Sequence, residues 1–144
     1  MKAMQIMKHH VPSVDVSESI IDALETMDDY GLDELPVVED DHFVGVITAS
    51  AIHRASELLG PFEDIPDRPV GDLIGYATTC APIEEGYKIL DHMEQDNSSH
   101  SYVVSEDGML LGEIDFDELA DILPSDTQVY HAQQIAEGEL HANA

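Results

Sequence analysis

Four carboxylates fall within six residues near the end of this chain: Glu113, Asp115, Asp117 and Glu118. Hard oxygen donors at this density can hold a Mg²⁺-like cation together with several waters. Acids are abundant throughout the chain, so a solvated acidic face is the simpler reading of Asp115, Asp117 and Glu118. The opposite charge gathers at the other end, where residues 1–14 contain no acid but carry Lys2, Lys8, His9 and His10. None of the eight histidines stands at a zinc-ligand spacing from a cysteine, and there is no His-Glu-x-x-His run. His100 lies just before an apolar strand, and the plainer expectation for it is an exposed loop histidine. The lone Cys80 cannot form an internal disulfide and reads as a small core residue. No nucleophile elbow or glycine-rich phosphate loop is present, so the residues point to a binding protein and not to an enzyme.

Charge narrows the partners. Thirty-one Asp and Glu against five Lys and Arg give a formal net charge of −26. Nucleic-acid binding needs clustered cations to displace counterions, and five scattered ones cannot supply them. An anionic membrane surface is excluded for the same reason. No apolar run approaches the ~20 residues of a membrane span, and the N-terminus lacks a secretory signal's apolar stretch. The expectation is a cytoplasmic protein without membrane insertion, its acidity suited to a saline interior.

The elements that must position these residues come in two copies. Residues 14–39 align with 80–105 at an offset of 66, bringing Leu24 onto Leu90, Met27 onto Met93 and Val37-Val38 onto Val103-Val104. One extra residue in the following turn moves the offset to 67, so that Gly45 falls on Gly112, Ile47 on Ile114 and Ile52 on Leu119. The lead-in segments echo as well, Met4–Met7 against Gly71–Ile74. In the first copy, Ser17 or Ser19 caps a helix whose Ile20, Leu24 and Met27 recur at helical spacing up to Gly31. Leu35–Val38 and Phe43–Ile47 read as a hairpin, and Thr48 caps a second helix carrying Ile52, Ala55 and Leu59. The second copy repeats this plan, with Pro82 entering the first helix and Asp115 capping the last, which Pro124 closes. Each unit is strand–helix–strand–strand–helix, too small to be stable alone. The expected fold is α/β (α+β), two βαββα motifs packed about a pseudo-twofold axis. The first motif spans 1–60, a linker 61–69, the second motif 70–124 and a tail 125–144.

On Leu35-Pro36-Val37-Val38, Gly45-Val46-Ile47-Thr48 and Val70-Gly71-Asp72-Leu73-Ile74, and on their duplication, the chain resembles a pair of cystathionine-β-synthase-type (CBS) motifs, a Bateman module. The resemblance covers residues 3–123. It implies a regulatory module that binds an adenosyl ligand of the AMP, ATP or S-adenosylmethionine class between the repeats, without a resident cofactor. It further implies a homodimer, packed through helices near Ile20, Leu24, Ile52, Leu90 and Leu119, that acts on a separate regulated protein. The ligand-contacting positions it implies are His10, Val11, Pro12, Leu32, Asp33, Thr48, Ser50, Thr78, His100, Ile114, Asp115 and Glu118.

The family places a hydroxyl residue, then an Asp three positions later, where the return strand enters the second helix. Here Thr48 and Ser50 are kept, but Ala51 stands in the carboxylate position. In the second copy Glu118 holds that position, and Asp115 with Asp117 should repel phosphate. Two rivals follow: a divalent-cation-responsive module built on Asp115, Asp117 and Glu118, and a purely structural dimer with decayed ligand sites.

Self-repulsion at −26 is screened over about 10 Å at 0.1 M salt and about 3 Å at 1 M. The melting temperature should therefore rise between 0.1 M and molar potassium chloride in a scanning fluorimetry series; a flat or falling curve would remove the halophilic reading.

Overall fold

The structure, a computed structural model, describes residues 1–60 and 64–123. The expected tail at 125–144, the Pro124 helix stop and the start of the linker lie outside the described residues. The first repeat runs β1 (Val14–Asp15), α2 (Ile20–Tyr30), β2 (Glu34–Glu39), β3 (His42–Thr48) and α3 (Ala49–Leu59), preceded by the short helix α1 (Ala3–Ile6). The second runs β4 (Thr79–Cys80), α4 (Gly86–Asp96), β5 (His100–Val104), β6 (Leu110–Asp115) and α5 (Phe116–Ile122), preceded by 3₁₀ turns at Ile65–Asp67 and Val70–Leu73. Each repeat forms its own three-stranded sheet, ordered β1-β2-β3 and β4-β5-β6, with the first pair parallel and the second antiparallel.

Local chemistry explains the boundaries. Ser19, not Ser17, caps α2 by accepting the Asp22 N–H at 3.2 Å, while Ser17 is held by the Asp15 carboxylate. Gly31 ends α2 in the left-handed region at φ 65°. Thr48 and Asp115, 67 residues apart, do the same work: Thr48 Oγ1 accepts the Ala51 N–H at 3.0 Å and Asp115 Oδ1 the Glu118 N–H at 3.1 Å. α4 starts at Gly86, four residues later than Pro82 suggested, with Glu85 in the cap position.

The repeat offset survives in the register. Val14 faces Val37 and Cys80 faces Val103; Val37 faces Gly45 and Val103 faces Gly112. Two cores result. Val14, Ile20, Ala23, Met27, Leu35, Val37, Ile47, Ile52 and Ala55 form one; Cys80, Ile89, Leu90, Met93, Val103, Ile114, Leu119 and Leu123 form the other. Burial pushes the Cys80 thiol up to about 11, in keeping with a core residue and not a nucleophile. Ile20, Ile52, Leu90 and Leu119, which the resemblance put at a dimer contact, are consumed inside the chain. Large apolar side chains left exposed on the helices include Ile21, Leu58, Leu59 and Ile122.

Each lead-in crosses to the other repeat. Ala3 is fully buried in the second core, and Val70 and Ile65 in the first. The hydrogen bonds match pair by pair: Ala3 N–H to the Glu84 carbonyl corresponds to Val70 N–H to Glu18, and Met4 N–H to Pro82 corresponds to Gly71 N–H to Val16. Further along, Lys8 bridges Glu113 on β6, and Gly75 bridges Val46 on β3. This crossing explains the paired glycines. A Cβ on Gly112 would stand 2.6 Å from the Lys8 carbonyl oxygen and 2.7 Å from Met7 Sδ, and one on Gly45 would collide with Ile74.

Replacing Gly112 with Ala should thus cost about 1–3 kcal/mol of unfolding free energy. Gly31→Ala, which meets nothing within 4 Å, should cost only the roughly 1–2 kcal/mol of its left-handed backbone. Urea denaturation of both variants checks this, with a near-neutral Gly112→Ala as the contrary result.

Candidate functional site

Among the clefts where the repeats meet, the repeat offset relates two. The N-terminal cleft, about 180 Å³, is lined by Lys8, His9, His10, Val11, Pro12, Tyr30, Leu32 and Glu113. The C-terminal cleft, about 250 Å³, is lined by Tyr76, Ala77, Thr78, Asp96, Asn97, Ser98, Ser99, His100, Tyr102 and Glu34. Adding 66 to His10, Val11, Pro12, Tyr30 and Leu32 gives Tyr76, Ala77, Thr78, Asp96 and Ser98. In each cleft one wall is the approach to the first strand, the other is the end of the first helix, and a residue of the opposite repeat closes it.

Between the clefts the two sheets meet through charge. Glu34 opens β2 and His100 opens β5, 66 residues apart, so each repeat brings the same position to the junction. Glu34 Oε2 lies 3.2 Å from His100 Nδ1 and accepts the Tyr102 hydroxyl proton at 2.8 Å. His100 Nε2 faces Asp115 at 3.6 Å and Glu113 at 3.9 Å. Tyr102 also stacks on Phe43 of the first repeat, ring centroids 5.3 Å apart. His100 is therefore not an exposed loop residue: its side chain is 19% exposed and pinned among three carboxylates. The Glu34 hydrogen bond, outweighing burial, holds the imidazolium above its usual range, with Glu113 and Asp115 adding to it. Burial is the largest influence on Glu34 and pushes its carboxyl up, but the bonds from His100 and Tyr102 together outweigh it and leave it lowered. Glu113 is raised, mainly by burial.

The acidic cluster is mostly engaged. Asp115 caps α5. The Glu118 carboxylate meets Lys8 Nζ at 2.9 Å on the rim of the N-terminal cleft, and this bond holds the ammonium above its usual range. Asp117 shares a shallow hollow with Asp115 between α4 and α5. Among the described residues no three His, Cys, Asp or Glu side chains are arranged to hold a metal ion. His10, Val11, Pro12 and Leu32 come together in one cleft, Thr78 and His100 in the other. Thr48 and Ser50 hydroxyls stand 3.3 Å apart at the start of α3, and Asp33 gives its carbonyl to the Ala49 N–H; none of the three lines either cleft. Ile114 is buried in the second core.

Residues 3–57 match the family described as CBS domain. Solved structures share the fold of both repeats. A CBS domain-containing protein of unknown function from Bacillus anthracis superposes with a TM-score of 0.74 at 18% identity, covering 86% of this chain and 93% of that one. The family match thus covers the first repeat, and the described chain shares its fold with CBS-domain pair structures. The chain is also similar to Hypoxic Response Protein I, solved with two coordinated zinc ions, at a TM-score of 0.73 and 22% identity over 84% of this chain and 98% of that one. A third is the CBS domain of a bacterial CNNM/CorC family Mg²⁺ transporter in complex with ATP, at 0.70 and 18% identity over 84% and 85%. No helix among the described residues is long and apolar enough to cross a membrane.

Sequence reasoning missed Glu34, Tyr30, Tyr76, Asp96 and Ser98. The signal was available: Glu34 is the 66-residue mate of His100, and the others mate with one another's cleft positions.

His100 carries a folded-state pKa above its ordinary 6.5. Its proton thus contributes stability that is complete below that value and is lost as pH rises through the folded one. Glu34 is lowered, so its share persists down to acid pH. His100→Gln should cost about 1–3 kcal/mol at pH 6, the range for a hydrogen bond to a charged group. The deficit should shrink at pH 9. Equal losses at both, in paired urea titrations, would leave His100 a packing role only.

Proposed function

We propose that this chain is a regulatory, non-catalytic CBS-pair module that binds a small adenosyl ligand of the AMP, ATP or S-adenosylmethionine class and passes occupancy to a separate protein. The observation that carries the reading is the pair of offset-related clefts, each built from both repeats. A ligand seated in such a cleft touches both repeats at once and so biases how they sit against each other. The similar Mg²⁺-transporter CBS domain solved with ATP supports the ligand class. Ion-paired Lys8 and half-buried Glu113 supply polar anchors beside an apolar wall, the usual composition of a small-molecule site.

The cation-responsive alternative draws less support, because Asp115 and Glu118 already serve the α5 cap and Lys8. Homodimerisation fits the exposed Ile21, Leu58, Leu59 and Ile122, and light scattering in high salt reads it directly.

Adenosine, AMP, ATP and S-adenosylmethionine, each added in molar potassium chloride, form the test. A ligand at a hundredfold excess over its Kd stabilises the folded state by about 2.7 kcal/mol, which should appear as a rise of several degrees in melting temperature. No shift with any of the four would sink the adenosyl reading.

A further inference from the structure

We infer that the two clefts have diverged, so that the adenine ring enters only the N-terminal cleft and the chain binds one adenosyl ligand; this rests on the adenosyl reading above. Position by position, Val11, Pro12, Tyr30 and Leu32 on one side face Ala77, Thr78, Asp96 and Ser98 on the other. The N-terminal cleft offers a flat ring two aliphatic side chains, a proline and an aromatic face, Tyr30 being 64% exposed. Stacking and apolar burial both favour a heteroaromatic ring there.

The C-terminal cleft has spent its hydrogen bonds on itself. The Asp96 carboxylate accepts from the Thr78 hydroxyl at 3.0 Å and the Tyr76 hydroxyl at 3.2 Å, and lies 3.3 Å from His92 Nε2. Thr78, 2% exposed, is also bonded to the Ser98 hydroxyl. A base laid over this floor would strip water from Asp96 and return nothing to a carboxylate already partnered. Charge separates the clefts less: on the N-terminal side Lys8 is paired with Glu118 and Glu113 lines the cleft, while on the C-terminal side His100 is bound to Glu34 beside Asp96.

Isothermal titration of AMP into the full chain in molar potassium chloride should give one site per chain. Tyr30→Asp and Leu32→Ser, made separately, give the N-terminal wall the residues of its counterpart and should each weaken binding by about tenfold or more. Tyr30 is exposed, so Tyr30→Asp should keep the wild-type circular dichroism and melting curve. Ser98→Ala in the C-terminal cleft should leave affinity within about twofold, well under the tenfold that 1.4 kcal/mol represents. Two sites per chain, or loss in Ser98→Ala with retention in both N-terminal variants, would overturn the inference while the adenosyl reading stands. Absence of heat with AMP, adenosine, ATP and S-adenosylmethionine alike in the wild type would overturn both.

Discussion

The exchange of lead-ins is the constraint on which the rest of this molecule depends. Residues 3–8 pack on the second repeat and 65–75 on the first, through backbone hydrogen bonds that match at the repeat offset. The crossing backbone passes so close to β3 and β6 that only glycine fits at Gly45 and Gly112. It also fixes where the clefts fall. After Lys8 leaves Glu113, the chain must travel back to β1, and that return path, His9 to Pro12, is one wall of the N-terminal cleft. Tyr76 to Thr78 repeats the path after Gly75 leaves Val46.

At the junction itself, symmetry meets electrostatics. A position brought to a twofold axis by both repeats faces its own counterpart. Identical charged residues would repel there, and in a half-buried setting that repulsion is only weakly screened. Glu34 opposite His100 resolves the conflict by breaking the symmetry at one position. Tyr102, whose offset mate is Pro36, adds a second bond to the same carboxylate oxygen. The polar junction and the unlike clefts share one trait: offset-related positions carry different chemistry.

Most of the fold was legible in the sequence, because helices and strands announce themselves through periodicity and the duplication doubles every signal. Ser19, Gly31, Thr48 and Asp115 marked boundaries by cap chemistry that acts within three or four residues. The crossing of the lead-ins was less visible: an echo between Met4–Met7 and Gly71–Ile74 says that the segments are alike, not which core each one joins. The site was legible only in part. His10, Val11, Pro12 and Leu32 were found by resemblance, yet Tyr30 and Asp96 close helices and look like ordinary surface residues until the sheets are docked. His100 looked exposed because its nearest carboxylate, Glu34, belongs to the other repeat, and no local pattern connects the two.

A chain holding only one such repeat and its own lead-in would be left with an apolar helix face lacking its cover, and with a lead-in lacking a surface to cover. Two copies could satisfy each other by trading lead-ins, which is reciprocal swapping between separate molecules. The paired glycines in this protein are the imprint of that trade carried within one chain. Within one chain that trade is intramolecular and does not depend on concentration, and the two partners need not be identical.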